Sequence, residues 1–280
     1  MELLQIKRTV FDLGLKKEYR FFQISDAHIS YCDKDSTDID IREHNRCKAA
    51  WLTLKKEFAS NNNEFCDDRY DVESIVLFEA LLNYAKKFKP DAIILSGDIM
   101  DRVTDSNIRY LKNLFSKIDI PIIYCLGNHD YMKENGEKIN QYERLTDLTK
   151  HPEAAAIDYG EFTLIAIDNN KQITDSQLAF LKEQIASDKR LLLVEHKPLL
   201  LGEFGEMLLD KIGSYFFMGV ENDTEKTKEY VNLIKQNSHR FIAVLCGHIH
   251  FAREYKITED LMQISTSSGL IGACREIIIK

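Results

Sequence analysis

No stretch of this 280-residue chain approaches the ~18 consecutive apolar residues of a membrane-spanning helix. Proline is scarce, at four residues, and no Pro- or Ser-rich tract interrupts the sequence as a linker would. Positive charge is in deficit: 37 Lys and Arg stand against 45 Asp and Glu, for a net charge of −8. An acidic surface opposes non-specific contact with nucleic acid, whose phosphates call for a basic patch. Cysteine is present six times (Cys32, Cys47, Cys66, Cys125, Cys246, Cys274), but no two are spaced C-x-x-C. Cys125 and Cys246 fall inside apolar runs, where a free thiol behaves as a small hydrophobe. That pattern excludes a disulfide framework and points to the reducing cytosol, a cytoplasmic location. The first eight residues, Met1 to Arg8, lack the apolar core of a signal peptide and read as a strand.

What the chain does have is alternation. Residues 3–11 and 19–25 read as a pair of strands joined through Asp12–Lys17. A helical composition over 42–59 follows, then polar stretches at 60–64 and 66–69, then a helix from about Asp71 to Lys89. From Pro90 onward strands at 92–96, 120–126, 162–167 and 191–195 alternate with helices at 105–117, 138–148 and 175–187. This is the signature of a layered α/β architecture. No internal repeat or boundary divides it, so residues 1–280 are expected to form one domain. Two insertions interrupt it, 29–72 and 199–238, the second holding Phe204, Phe216, Phe217 and Met218. Those aromatics suit either a pocket wall or packing against the body, with packing the more economical reading.

Five apolar runs each lead into residues that can bind a metal. Phe21–Ser25 leads to Asp26 and His28, Ala92–Gly97 to Asp98, and Ile120–Gly127 to Asn128, His129 and Asp130. Leu191–Glu195 delivers His196, and Phe241–Gly247 delivers His248 and His250. Continuous apolar runs are strands buried on both faces, and open α/β sheets bind ligands beyond their strands' carboxyl ends. Five such ends carrying Asp, Asn and His predict one shared site for metal ions. Asp105 is expected to cap a helix, and Asp101 either supports the site or caps that helix. Glu195 is read as either a packing residue or a support for His196. Asn169 and Asn170 are placed at the rim and outside the site, and His44, His151 and His239 are taken as surface or structural.

The series Asp26-Ala27-His28, Gly97-Asp98-Ile99-Met100-Asp101, Gly127-Asn128-His129-Asp130, His196 and Gly247-His248-Ile249-His250 resembles the five blocks of the calcineurin-like metallophosphoesterases, in their order. The resemblance implies a four-layer αββα sandwich with two mixed β-sheets and two transition-metal ions, Mn, Fe or Zn, at the strand ends. It assigns Asp26, His28, Asp98 and His250 to one ion. Asp98, Asn128, His196 and His248 go to the other, with Asp98 as bridge. A hydroxide shared by the ions would attack phosphorus in line, His129 would act as acid or stabiliser, and Asp130 would orient its ring. The absence of tyrosine around Asp98 separates the chain from the purple acid phosphatases, and residues 1–30 are similar to the bacterial single-domain phosphohydrolases. Ala27 replaces a larger apolar residue common there.

The expected function is therefore hydrolysis of a small phosphorylated molecule, with diesters or nucleotides ahead of simple monoesters by family analogy. A nuclease of the same fold would need a basic groove that this acidic chain does not show. A non-catalytic scaffold would have discarded ligands or His129, and none is missing. Oligomeric state is not legible.

Overall fold

A computed structural model describes residues 4–61, 72–133 and 142–280. Its strands form two sheets. The first holds β1 (Gln5–Phe11), β2 (Tyr19–Ile24), β3 (Ala92–Ser96), β4 (Ile122–Cys125) and β11 (Ala273–Ile279), in the order β1-β11-β2-β3-β4. The second holds β5 (Ala154–Asp158), β6 (Phe162–Ile167), β7 (Arg190–Val194), β8 (Phe241–Cys246), β9 (Arg253–Lys256) and β10 (Met262–Ser265), in the order β5-β6-β7-β8-β10-β9. Strands β2, β3 and β4 run parallel, as do β6, β7, β8 and β10, while β11–β2, β5–β6 and β9–β10 are antiparallel. Both sheets are mixed.

Side-chain alternation along each strand stacks the layers. Phe21, Ile94, Cys125, Leu164, Leu192 and Val194 meet in a core between the sheets. Their neighbours Phe22, Ile93 and Leu95 face the other way, onto α2 (Ser74–Phe88) and α3 (Asp105–Phe115). Leu191 and Leu193 likewise pack on α5 (Asp175–Ala186) and α7 (Glu225–Gln236). Central strands such as β3, β7 and β8 are thus apolar on both faces, and the result is the four-layer αββα sandwich. Full burial of one such Leu, Ile or Phe contributes about 1.5–3 kcal/mol.

Three local expectations are corrected. The strands at 3–11 and 19–25 do not pair with each other: β11 lies between them, parallel to β1 and antiparallel to β2. Its residues are buried along nearly its whole length, so it belongs inside the sheet rather than at an edge. Asp105 is not a cap. Thr104 accepts the Asn107 N–H, and Asp105 is the first helical residue, paired with Arg144 at 2.7 Å. The 199–238 segment is not irregular either, for it contains α6 (Gly202–Ile212) and α7. In the 29–72 segment, α1 (Asp38–Asn61) carries the chain back across the mouth of the first sheet. Cys66, the polar stretch at 66–69, most of that at 60–64, the start of the helix at Asp71 and residues 138–141 of the expected 138–148 helix lie outside the described residues. Of that helix, α4 (Tyr142–Leu145) is described.

Candidate metal centre

Parallel β2, β3 and β4 in one sheet and β7 and β8 in the other all end at the same edge of the sandwich. The chain must turn sharply there to keep polar side chains in the mouth. Among the described residues six non-glycines have positive φ, and five of them are Asp26, His28, Asp98, His248 and His250. Left-handed backbone costs about 1 kcal/mol or more per non-glycine residue, less for Asp and His than for branched residues. Such strain persists only where the surroundings over-determine it.

Here they do. The loop after β2 is zipped to the loop after β3 by Asp26 N–H to Gly97 O (2.8 Å), His28 N–H to Asp98 O (2.9 Å) and Ile29 N–H to Ile99 O (2.8 Å). The Asp26 carboxylate accepts the His248 N–H at 3.0 Å, and Asp98 Oδ1 accepts the His129 N–H at 2.7 Å. Gly247 and Gly127 sit where backbone and carboxylates touch. A Cβ at Gly247 would overlap Ser25 Oγ and Asp26 Oδ2, and one at Gly127 would overlap the Asp98 carboxylate.

All seven candidate ligands converge. His250 Nε2 lies 3.3 Å from Asp26 Oδ1 and 3.2 Å from His28 Nε2. His196 Nε2 lies 3.2 Å from Asp98 Oδ2, 3.3 Å from Asn128 Oδ1 and 3.1 Å from His248 Nδ1. Asp98 Oδ2 is also 3.9 Å from His28 Nε2, so one oxygen faces both clusters. Two imidazole nitrogens at such distances can share only one proton. A cation about 2.1 Å from each ligand atom would instead set its ligands roughly 3.0–3.4 Å apart. Among the described residues three groups of donors, Asp26–His28–His250, Asp98–His196–His248 and His28–Asp98–His129, each bring their ligand atoms within 4.8 Å of one another, and all but His250 and His129 are nearly inaccessible. The residues fit divalent metal ions.

Electrostatics agrees with that fit, because metal ligands must be deprotonated. Burial alone would raise Asp26, but the His250 imidazole outweighs it and brings the carboxyl to about 2. Burial is likewise outweighed at Asp98, where His196 and His129 hold the carboxyl well below its usual range. Burial, with His129 beside it, takes His28 down to about 3, and burial with His196 takes His248 well down. Burial opposes but does not prevent a rise of His196 to about 9, driven by Asp98 and Asp26. The His196 Nδ1–H donates to Ser96 O at 2.8 Å, which leaves Nε2 directed at the cluster.

His129 borders the same cavity, but its neighbour does not orient it. Asp130 is fully buried and accepts four hydrogen bonds: from Gly127 N–H (2.7 Å), Asp98 N–H (2.9 Å), Tyr124 Oη–H (2.8 Å) and Met100 N–H (3.2 Å). Burial, then the Asp98 charge, pushes its carboxyl up to about 7. The expected role for Asp130 fails on geometry. His129–Tyr131 is a single 3₁₀ turn, in which successive side chains diverge by about 120°. His129 Nδ1 instead faces Asp101, through Oδ1 and its carbonyl oxygen, each at 3.2 Å, with Arg102 Nη1 beside them at 3.3 Å. Asp101 also accepts Trp51 Nε1–H and Arg46 Nη2–H, both at 2.8 Å. Although burial opposes it, the His129 and His28 imidazoles hold the Asp101 carboxyl far below its ordinary value. Despite burial, Asp98 and Asp101 raise His129.

Residues outside the five blocks complete the site. Asn169 is buried and its Oδ1 accepts His196 N–H (3.2 Å) and Lys197 N–H (2.9 Å), fixing the turn that presents His196. Glu195 is buried beneath it, takes Tyr230 Oη–H at 2.7 Å, and is raised by burial to about 8. Trp51, the only tryptophan, lies 4.1 Å from the His28 ring, centre to centre. Phe216 lines the cavity with Tyr215, whereas Phe217 and Met218 are buried. No sequence signal distinguished Trp51 or Tyr215, and the rim placement of Asn169 is corrected by its burial. His151 and His239 are exposed, and His44 Nδ1 contacts Ser30 O at 3.1 Å.

Comparison with known proteins matches this arrangement. The sequence profile of the calcineurin-like phosphoesterases covers residues 19–252. A protein of Arcobacter nitrofigilis, described as a probable glycerophosphodiester phosphodiesterase, is 25% identical over 59% of this chain and 58% of its own length. A probable cyclic nucleotide phosphodiesterase of Fibrobacter succinogenes is 22% identical over 91% of this chain and 82% of its own. The chain spans from under half to under two thirds of the first three curated relatives it matches, 58%, 44% and 63% of their lengths. Among solved structures, a dimetal phosphatase from Danio rerio superposes with a TM-score of 0.55 at 12% identity, covering 90% of this chain and 88% of that one. A yellow lupin purple acid phosphatase gives the same score at 13% identity over 91% of this chain and 45% of that one. At these identities the likeness is one of fold.

Proposed function

Since the chain belongs to the calcineurin-like phosphoesterase family, we propose that it is a metal-dependent phosphoesterase with a dinuclear centre and a preference for phosphodiesters. The observation that supports this best is Asp98 Oδ2, which lies within 4 Å of ligand nitrogens from both clusters, His196 Nε2 at 3.2 Å and His28 Nε2 at 3.9 Å. Asp26, His28, Asp98 and His250 would hold one ion, and Asp98, Asn128, His196 and His248 the other. When bound, such ions acidify water and neutralise charge on a phosphoryl group. Mn, Fe and Zn all suit this mixed nitrogen and oxygen set.

The chain's own groups do the rest. Asp98 Oδ1 is occupied by the His129 N–H, which keeps Oδ2 turned toward the ligands. Asp101 holds His129 Nδ1–H, so Nε2 is the atom available to a phosphate in the cavity. A protonated His129 can donate there to a non-bridging oxygen or to the departing alcohol. The residues lining the cavity include no lysine or arginine, but Arg102 Nη1 lies 3.3 Å from His129 Nδ1 and the Lys197 ammonium 4.9 Å from the Tyr215 ring, so positive charge flanks it. The preference for diesters is supported by the relatives described as phosphodiesterases.

Metal analysis of the purified protein, paired with bis- and mono-p-nitrophenyl phosphate assays on wild type and Asp98→Asn, tests this. About two ions per chain and diesterase activity lost in the variant are expected. No bound metal, and no turnover after Mn²⁺, Fe²⁺ or Zn²⁺ loading, would favour the scaffold alternative.

A further inference from the structure

The two inserted segments meet over the metal centre, and both contribute aromatic rings. A cavity of about 450 Å³ opens above Asp98, His248 and His250, and its walls are Trp51 and Leu54 on one side, Ile212, Tyr215 and Phe216 on the other, with Phe251 between. The Trp51 ring lies 5.9 Å from His250 and 6.0 Å from His129. The Tyr215 and Phe216 rings lie 5.5 and 5.2 Å from His248. The aromatic groups therefore stand over opposite donor clusters, where the two ester arms of a bound phosphate would project.

These rings are not core. Tyr215 is 49% exposed, and Trp51, Phe216 and Phe251 are half-buried, so each keeps ring surface open to the cavity. Their positions are nevertheless fixed: Trp51 donates to Asp101 at 2.8 Å, and the Lys197 ammonium sits 4.9 Å from the Tyr215 ring centre. Preset, partly exposed aromatic surface around a few convergent polar groups is the make-up of a site for an apolar ligand. A glycerol or sugar arm would have its hydroxyls desolvated against carbon with few partners.

We infer that the ester arm this site selects is aromatic, a flat ring held against Tyr215 and Phe216, with Trp51 lining the same cavity. This rests on the phosphodiesterase reading above. The segments that vary the mouth of the fold would thus set specificity, while the strand ends set the chemistry.

Two diesters with the same leaving group and charge isolate the effect: p-nitrophenyl phenyl phosphate and p-nitrophenyl methyl phosphate. The phenyl ester should be favoured by about tenfold or more in kcat/KM, the range expected for burying one aromatic ring. That ratio should fall toward one in Phe216→Ala and in Tyr215→Ala, and persist in Tyr215→Phe. Because Trp51 is the only tryptophan, its fluorescence gives a readout that needs no turnover. Diphenyl phosphate should change its emission in the metal-loaded protein at concentrations where dimethyl phosphate does not. Equal kcat/KM for the two esters, or a preference unchanged by both alanine variants, overturns the inference while leaving the hydrolase intact. A selective fluorescence response without hydrolysis of either ester does the reverse.

Discussion

Replacing Asp130 by Asn separates two roles for this aspartate, an orienter of His129 or a fastener of backbone. Its carboxylate accepts three N–H groups, from Gly127, Asp98 and Met100, and the Tyr124 hydroxyl, all within the buried turn beneath the ligands. Asparagine offers one oxygen and one NH₂. The less costly orientation keeps the oxygen on Gly127 and Asp98 and lets Tyr124 rotate to accept from the NH₂. Met100 N–H then faces a donor. One buried unsatisfied N–H costs about 1–3 kcal/mol, and the two surviving backbone bonds lose about 1 kcal/mol each with the negative charge. The hydrogen-bond losses sum to about 3–5 kcal/mol, partly offset because asparagine removes a charge that burial and Asp98 already disfavour, so a net loss of about 1 kcal/mol or more is expected. Urea unfolding at pH 8, above the titration of this carboxyl, after chelation so that ligand binding adds nothing, measures it directly. Stability within about 0.5 kcal/mol of wild type, the range of an ordinary surface substitution, together with a loss confined to turnover, would refute the assignment and restore the orienting role.

The remaining expectations test other parts of the site and the fold. His129→Ala should lower kcat by about 10²- to 10⁴-fold with metal content unchanged, and loss of metal by elemental analysis would show that the imidazole is a ligand instead. Gly247→Ala forces a methyl into Ser25 and Asp26, so it should cost about 1–3 kcal/mol and weaken metal retention, both readable from calorimetry with and without chelator. Lys55 is buried with its ammonium on Val72 O at 2.7 Å, and burial, partly offset by Glu73, lowers its pKa from 10.5 to about 8. Above 10.5 both folded and unfolded states are neutral. As the pH falls toward 8 only the unfolded chain takes up the proton, so about 3 kcal/mol of stability is lost across that window and none below it. The stability difference between wild type and Lys55→Met should follow this curve, and a difference flat from pH 7 to 10.5 would contradict it.

What the sequence disclosed and what it hid divide along one physical line. Apolar runs such as Ile93–Leu95 and Leu191–Val194 are legible because both faces of a central strand are buried, and that condition marks every residue of the run. Asp26, His28, Asp98, Asn128, His196, His248 and His250 are legible because each stands at the end of such a run and carries donor chemistry that burial alone would not retain. Features set by contact between distant segments leave no comparable mark. Nothing in the periodicity near 5–11 and 273–279 shows that β11 inserts between β1 and β2. Trp51 and Tyr215 lie 164 positions apart, each in a segment whose local pattern is that of an ordinary amphipathic helix or turn. The two aspartates make the limit plain. Asp130 follows His129 in the chain, yet the 3₁₀ turn directs it into the protein, while Asp101, 28 residues away, meets the ring because its loop is zipped to the one after β2 by Asp101 N–H to Ile29 O at 3.0 Å. Adjacency in sequence is a weak guide to the partner of a side chain wherever the backbone turns three residues at a time. A histidine opening such a turn should therefore be paired with a carboxylate from a neighbouring strand end before one from its own.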